Sequence, residues 1–113
     1  MSNCTMGCTK AGSVPRGGLP GTEYKFAITI TAEGFSMDED DFEIKVRGRR
    51  KTVTIPKEEC IVDGDGQWYF MFDSAVTGGG LITAIVTAYV PDYDFPDDLR
   101  TEVEQVDLVY VPN

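Results

Sequence analysis

The chain is expected to fold as an antiparallel β-sandwich of the immunoglobulin-like or fibronectin-like kind, with an extended N-terminal arm. Three observations lead there. Apolar residues alternate with period two through most of residues 22–113. About seven such runs are separated by turn residues every 8–12 positions, the spacing of sandwich strands. No stretch carries the 3.6-residue period of a long helix. The length of 113 residues suits one domain, and a composition 42% hydrophobic and 11% aromatic is enough for a core.

The first strand is expected over residues 23–31. Tyr24, Phe26, Ile28 and Ile30 share one face, and Lys25, Thr29 and Thr31 the other. The acidic stretch 37–41 then forms a loop, and Phe42 to Arg47 alternates strictly as a second strand. Gly48 marks a turn into a short strand, Thr52 to Ile55. Pro56-Lys57-Glu58-Glu59 suits a single helical turn, with proline at its start and acids in its first turn.

Cys60-Ile61-Val62 leads to Asp63-Gly64-Asp65-Gly66, a turn signal between apolar runs. Gln67 to Phe72 follows, with Trp68, Phe70 and Phe72 on one face. A connection over 73–80 has room for a helical turn before its three glycines. Leu81 to Tyr89 is apolar on both faces, which predicts a central strand covered on two sides. An acidic loop over 91–98 precedes the last strand, Thr101 to Val111, where a change of phase near Val106 suggests a bulge.

Residues 1–21 differ from the rest. They hold five glycines and two prolines without periodicity, and alone they cannot bury enough apolar surface to offset their ordering entropy. The division expected is therefore an arm, 1–21, and a sandwich, 22–113, with the arm held by a partner or a neighbouring copy. The N-terminus lacks the basic start and apolar core of a secretory signal. No run approaches the roughly 20 apolar residues of a membrane helix, so the chain is expected to be soluble and made in a cytoplasm.

Several chemistries lose their residues. With no histidine there is no Ser-His-Asp or Cys-His arrangement and no imidazole ligand. A net charge of −9 argues against general nucleic-acid binding. Cys4, Cys8 and Cys60 supply three thiols where structural zinc takes four ligands, so free thiols are expected, with Cys60 a small buried hydrophobe. Asp63 to Gly66 resembles a fragment of a calcium loop, but the position where a glutamate belongs is Ser74, and a hairpin turn explains it. The loops 37–41 and 91–98 carry eight carboxylates, expected as solvated loops before a calcium site. Tyr24, Phe26, Trp68 and Phe70 fall at strand spacing, which makes them core rather than a sugar platform.

Arg47-Gly48-Arg49-Arg50-Lys51 is the basic cluster, holding four of the ten positive residues. Set against an acidic remainder, it suits head-to-tail contact with an acidic patch on a neighbour.

The stretches Ile55 to Cys60, Gly66 to Tyr69, Gly80-Leu81 and Thr87 to Glu102 resemble small β-sandwich proteins encoded by phages and prophages of gut Bacteroidales, often beside fibre and tail genes. Ala88-Tyr89-Val90-Pro91-Asp92 and Leu99-Arg100-Thr101-Glu102 are the most specific elements. The layout is also loosely similar to N-terminal adaptor domains of phage baseplate and fibre proteins. The resemblance covers residues 23–111 and brings no catalytic motif. It implies a non-enzymatic virion subunit (capsid-decorating, head-fibre or tail/fibre-anchoring), assembled in the bacterial cytoplasm and oligomeric within a larger particle. Its implied partners are other virion proteins or copies of itself, with no cofactor, metal, nucleic acid or membrane. Contact residues are expected at Cys4, Met6, Cys8, Pro15, Arg16 and Leu19 of the arm and at Arg47, Arg49, Arg50 and Lys51 of the basic turn. The alternative is a small module that binds carbohydrate or a host-surface ligand.

Overall fold

The computed structural model describes residues 17–112. In chain order the elements are β1 (Glu23–Ile28), β2 (Phe42–Arg47), β3 (Thr52–Pro56), a 3₁₀ turn (Lys57–Glu59), β4 (Ile61–Val62), β5 (Trp68–Asp73), α1 (Ser74–Thr77), β6 (Gly80–Pro91) and β7 (Leu99–Val111). They form two antiparallel sheets, β1-β5-β4 and β3-β2-β6-β7. The chain crosses between sheets after β1, after β3 and after β5, which gives the seven-stranded antiparallel sandwich expected.

The two inner faces are made of different materials. On the three-stranded sheet, Tyr24 pairs with Phe72, Phe26 with Phe70 and Ile28 with Trp68. The rings stack, with Tyr24 and Phe72 centroids 5.3 Å apart and Phe26 and Phe70 6.0 Å apart. The four-stranded sheet answers with Phe42, Ile44, Val46, Ile55, Ile82, Ala84, Val86, Ala88 and Val90, all buried. Large rings on one sheet pack against mostly aliphatic groups on the other in one buried cluster. The Phe42 ring meets Trp68 edge-on at 5.6 Å and ties the two layers together. Tyr24, Phe26, Trp68, Phe70 and Phe72 therefore face the core, whereas Tyr69 of β5 lies on the outer face under the Lys25 ammonium.

Some boundaries differ from the sequence reading. β1 ends at Ile28 rather than continuing to residue 31, because its partner β5 begins at Trp68 and the chain must then leave for the other sheet. Ile30 nevertheless stays buried. The bulge lies at Leu108, opposite the Ile82/Thr83 step, two residues beyond Val106. It turns both Leu108 and Val109 into buried positions. β6 is central, between β2 and β7, but it is covered on one face only. On its outer face Leu81 is exposed and Ile85, Thr87 and Tyr89 are half-buried; Thr83 alone is buried there.

Residues 17–22 are hydrogen-bonded to the sandwich. Gly17 N donates to the Tyr110 carbonyl on the edge of β7 at 2.7 Å. Gly21 N donates to Ser74 Oγ, and the Ser74 hydroxyl and amide both donate to the Thr22 carbonyl. Gly17 thus lies against the β7 edge.

Candidate functional interface

Antiparallel pairing sorts the loops between two ends. β6 runs from Gly80 to Pro91, a span of roughly 36 Å at about 3.3 Å per residue. At its far end, Tyr89 N donates to the Asp41 carbonyl, which places loop 37–41 beside loop 91–98. Lys57 Nζ donates to the carbonyls of Asp38 (3.0 Å) and Asp40 (2.8 Å), and so brings the 3₁₀ turn to the same end. The same ammonium sits 5.8 Å and 5.7 Å from the Phe42 and Trp68 ring centroids, and the β4–β5 hairpin at 63–66 follows. These four loops hold twelve of the nineteen acids.

The opposite end carries the basic turn. Arg50 N and Lys51 N both donate to the Thr77 carbonyl, at 2.8 and 3.2 Å, and Arg49 N donates to the Gly79 carbonyl at 3.4 Å. Such close backbone approach leaves no room for a side chain at Gly48, where a Cβ would stand 2.4 Å from the Thr77 oxygen. Gly78 has φ +87°, and a Cβ there would meet Arg50 at 2.8 Å. Gly80, with φ +81°, lets the Arg49 guanidinium lie across it, Nη2 being 3.3 Å from where a Cβ would be. Arg50 Nη1 donates to the Ala75 carbonyl at the end of α1. Among the described residues, no carboxylate lies within ion-pair distance of Arg47, Arg49, Arg50 or Lys51.

Between the basic turn and the start of β6 is an open hollow of about 290 Å³, lined by Arg47, Gly48, Arg49, Gly79, Gly80, Leu81 and Thr83. Thr83 is 5% exposed, and its Oγ1 has no hydrogen-bond partner. The basic cluster was legible in the chain as a charge run, whereas Thr83 and Leu81 were not singled out. Their signal was position: they stand at the start of a largely apolar strand that begins beside three glycines.

The acidic end is organised by its own side chains. Asp40 Oδ2 accepts from Ser36 N, and Asp92 Oδ1 from Asp94 N. Arg100 pairs with Asp92 and, at 2.9 Å, with Glu102, and donates to the Glu33 carbonyl. Desolvation opposes the Arg100 charge, but those two carboxylates outweigh it and raise its pKa. Asp63 accepts from Gln67 N, Asp65 N and the Tyr69 hydroxyl, bonds that hold its pKa below the usual carboxylate range. With Gly66 at φ +84° these bonds make the hairpin turn expected at 63–66. No three carboxylates or thiols among the described residues converge closely enough to hold a metal ion.

Cys60 is free and buried. Burial first, then the Glu59 and Glu58 charges, push its thiol up to about 11. Of the arm contacts, Leu19 is 72% exposed, and its carbonyl accepts from Thr22 N and Oγ1. Cys4, Met6, Cys8, Pro15 and Arg16 lie outside the described residues. No helix among the described residues is long and apolar enough to cross a membrane.

The fold is a two-sheet antiparallel β-sandwich with a longitudinal charge polarity. Comparison with family models, curated proteins and solved structures gives no match to this chain.

Proposed function

We propose that the chain is a non-enzymatic structural subunit of a phage virion, capsid-decorating, head-fibre or tail-anchoring, that docks to its neighbours through the N-terminal arm and the sandwich ends and edges. The observation that carries this reading is the segregation of charge: three arginines and a lysine without an ion-pair partner among the described residues on a turn at one end, and twelve acids at the other. Complementary ends steer and register protein–protein contacts, and on a protein of net charge −9 they need a partner of matched polarity. The anchorage of Gly17 on the β7 edge also supports it, since a glycine-rich segment leaving a sheet edge is suited to lie along a neighbouring backbone.

The test compares the full chain with one lacking residues 1–16, and with an Arg49→Glu/Arg50→Glu variant. Circular dichroism checks the fold, and sedimentation and incorporation into particles check assembly. Both variants are expected to fold and to assemble poorly. Normal incorporation of both would overturn the reading, and glycan binding unaffected by either change would move the chain to the carbohydrate-module class.

A further inference from the structure

The hollow at the basic end has the make-up of a socket. Arg47 and Arg49 wall it with two planar guanidinium groups that no carboxylate of the described residues neutralises. Leu81, 46% exposed, gives it an apolar lip, and Thr83 beneath has a hydroxyl with no hydrogen-bond partner among the described residues. A buried hydroxyl without a partner is costly, and a guanidinium fork matches a carboxylate better than any other side chain. The occupant that fits is a carboxylate next to an apolar or aromatic group.

This chain carries such a tip at its other end. In loop 91–98, Asp92 N donates to the Asp98 carbonyl, Phe95 N to the Asp92 carbonyl and Asp98 N to the Phe95 carbonyl, so the loop is preformed. At its tip Tyr93 is 90% exposed, beside exposed Asp94. Asp92 is engaged by Arg100, whereas no described cation lies within ion-pair distance of Asp94.

We infer that the hollow receives the Tyr93-Asp94 tip of a second copy of this chain. The Asp94 carboxylate sits between the Arg47 and Arg49 guanidinium groups, and the Tyr93 ring covers Leu81 and one guanidinium face. A χ1 rotation turns the Thr83 hydroxyl toward the incoming carboxylate. Because plug and socket lie at opposite ends of one sheet, the contact is head-to-tail and repeats into a ring or a filament rather than closing as a two-fold dimer. This inference rests on the docking reading above and specifies one of its contacts.

Sedimentation of the full chain at low salt tests it. The wild type is expected to form a concentration-dependent series of oligomers that dissociates in about 0.5 M salt, where exposed charges are screened within a few ångströms. Arg49→Ala and Asp94→Ala are each expected to keep the wild-type melting temperature and to sediment as monomers. Their equimolar mixture should give a one-to-one dimer and stop there, because one variant keeps the plug and the other the socket. Thr83→Val should weaken assembly about 5- to 10-fold while raising the melting temperature, a pairing that a purely structural role would not produce.

A wild type that stays monomeric at low salt, or oligomers unchanged in both alanine variants, would overturn the inference. So would acetate or inorganic phosphate shifting the Gly80 and Thr83 amide resonances of a chain that never self-associates, which makes the hollow a small-anion site. Loss of particle incorporation on removing residues 1–16, with both alanine variants incorporated normally, would sink the socket and leave the docking reading standing.

Discussion

At the basic end of the sandwich the backbone makes the structure, and at the acidic end the side chains do. Gly48, Gly78 and Gly80 let the turn 48–51 press against residues 77–80, and amide-to-carbonyl bonds hold it there. Apart from the Arg50 bond to Ala75, the cationic heads take little part and stay free. At the acidic end Lys57, Arg100, Asp40, Asp63 and Asp92 are themselves the fasteners, reaching main-chain amides, carbonyls or one another. The contrast teaches where to look for contacts. A charge that holds its own loop is engaged, whereas a charge presented by a glycine-built turn is available to a partner.

The contrast can be broken most strongly at Gly48. Gly48→Ala forces a methyl group to within 2.4 Å of the Thr77 carbonyl oxygen and should cost about 1–3 kcal/mol by urea denaturation. Salt should not restore it, because no charge is involved. Lys57→Met removes two charge-assisted bonds at the acidic end together with the ammonium over the Phe42 and Trp68 rings, and should cost about 1–2 kcal/mol. If Gly48→Ala proved harmless and Lys57→Met did too, the two modes of construction would lose their meaning.

Cys60 sharpens the comparison as a probe of the acidic field. Its folded pKa, about 11, is raised above the ordinary thiol value of 9.0, so its contribution to stability is present below that unfolded value and is lost as pH rises through about 11. In a Cys4→Ser/Cys8→Ser background, Glu58→Gln/Glu59→Gln should lower the pKa read from thiolate absorbance yet leave it above the unfolded value, since burial is the larger cause. A return all the way to the unfolded value would show that the acids dominate instead.

The smallest effect is expected at Asp63. Its folded pKa is depressed, so its contribution is present above the unfolded carboxylate value and lost as pH falls through the folded one. Asp63→Asn should therefore lower stability slightly at neutral pH, converge with the wild type at low pH, and so flatten the acid limb of the stability curve. An acid limb identical to wild type would show that the three hydrogen bonds to this exposed carboxylate contribute nothing.

Much of the fold was legible because strand patterning is local. The faces of β1, β2 and β5, the turn at 63–66 and the helical turns at 57–59 and 74–77 all follow from residues within a few positions of one another. The bulge was displaced by two residues because its site is chosen by the partner step Ile82/Thr83, far away in the chain. The outer face of β6 was misjudged for a related reason. Leu81, Ile85 and Tyr89 look like core by type, yet among the described residues Leu81 is left exposed and Ile85 and Tyr89 are only half-buried between the flanking strands β2 and β7.

The amino-acid sequence by itself determined which residues alternate, where charge is concentrated and which turn needs glycine, since each of these depends on near neighbours. Tertiary structure alone decided that loops 37–41, 57–59, 63–66 and 91–98 share one end. It also decided that Arg47, Arg49, Leu81 and Thr83 share one hollow at the other. Both results come from long-range antiparallel pairing, whose register is set by burying two inner faces at once and not by any single stretch of chain.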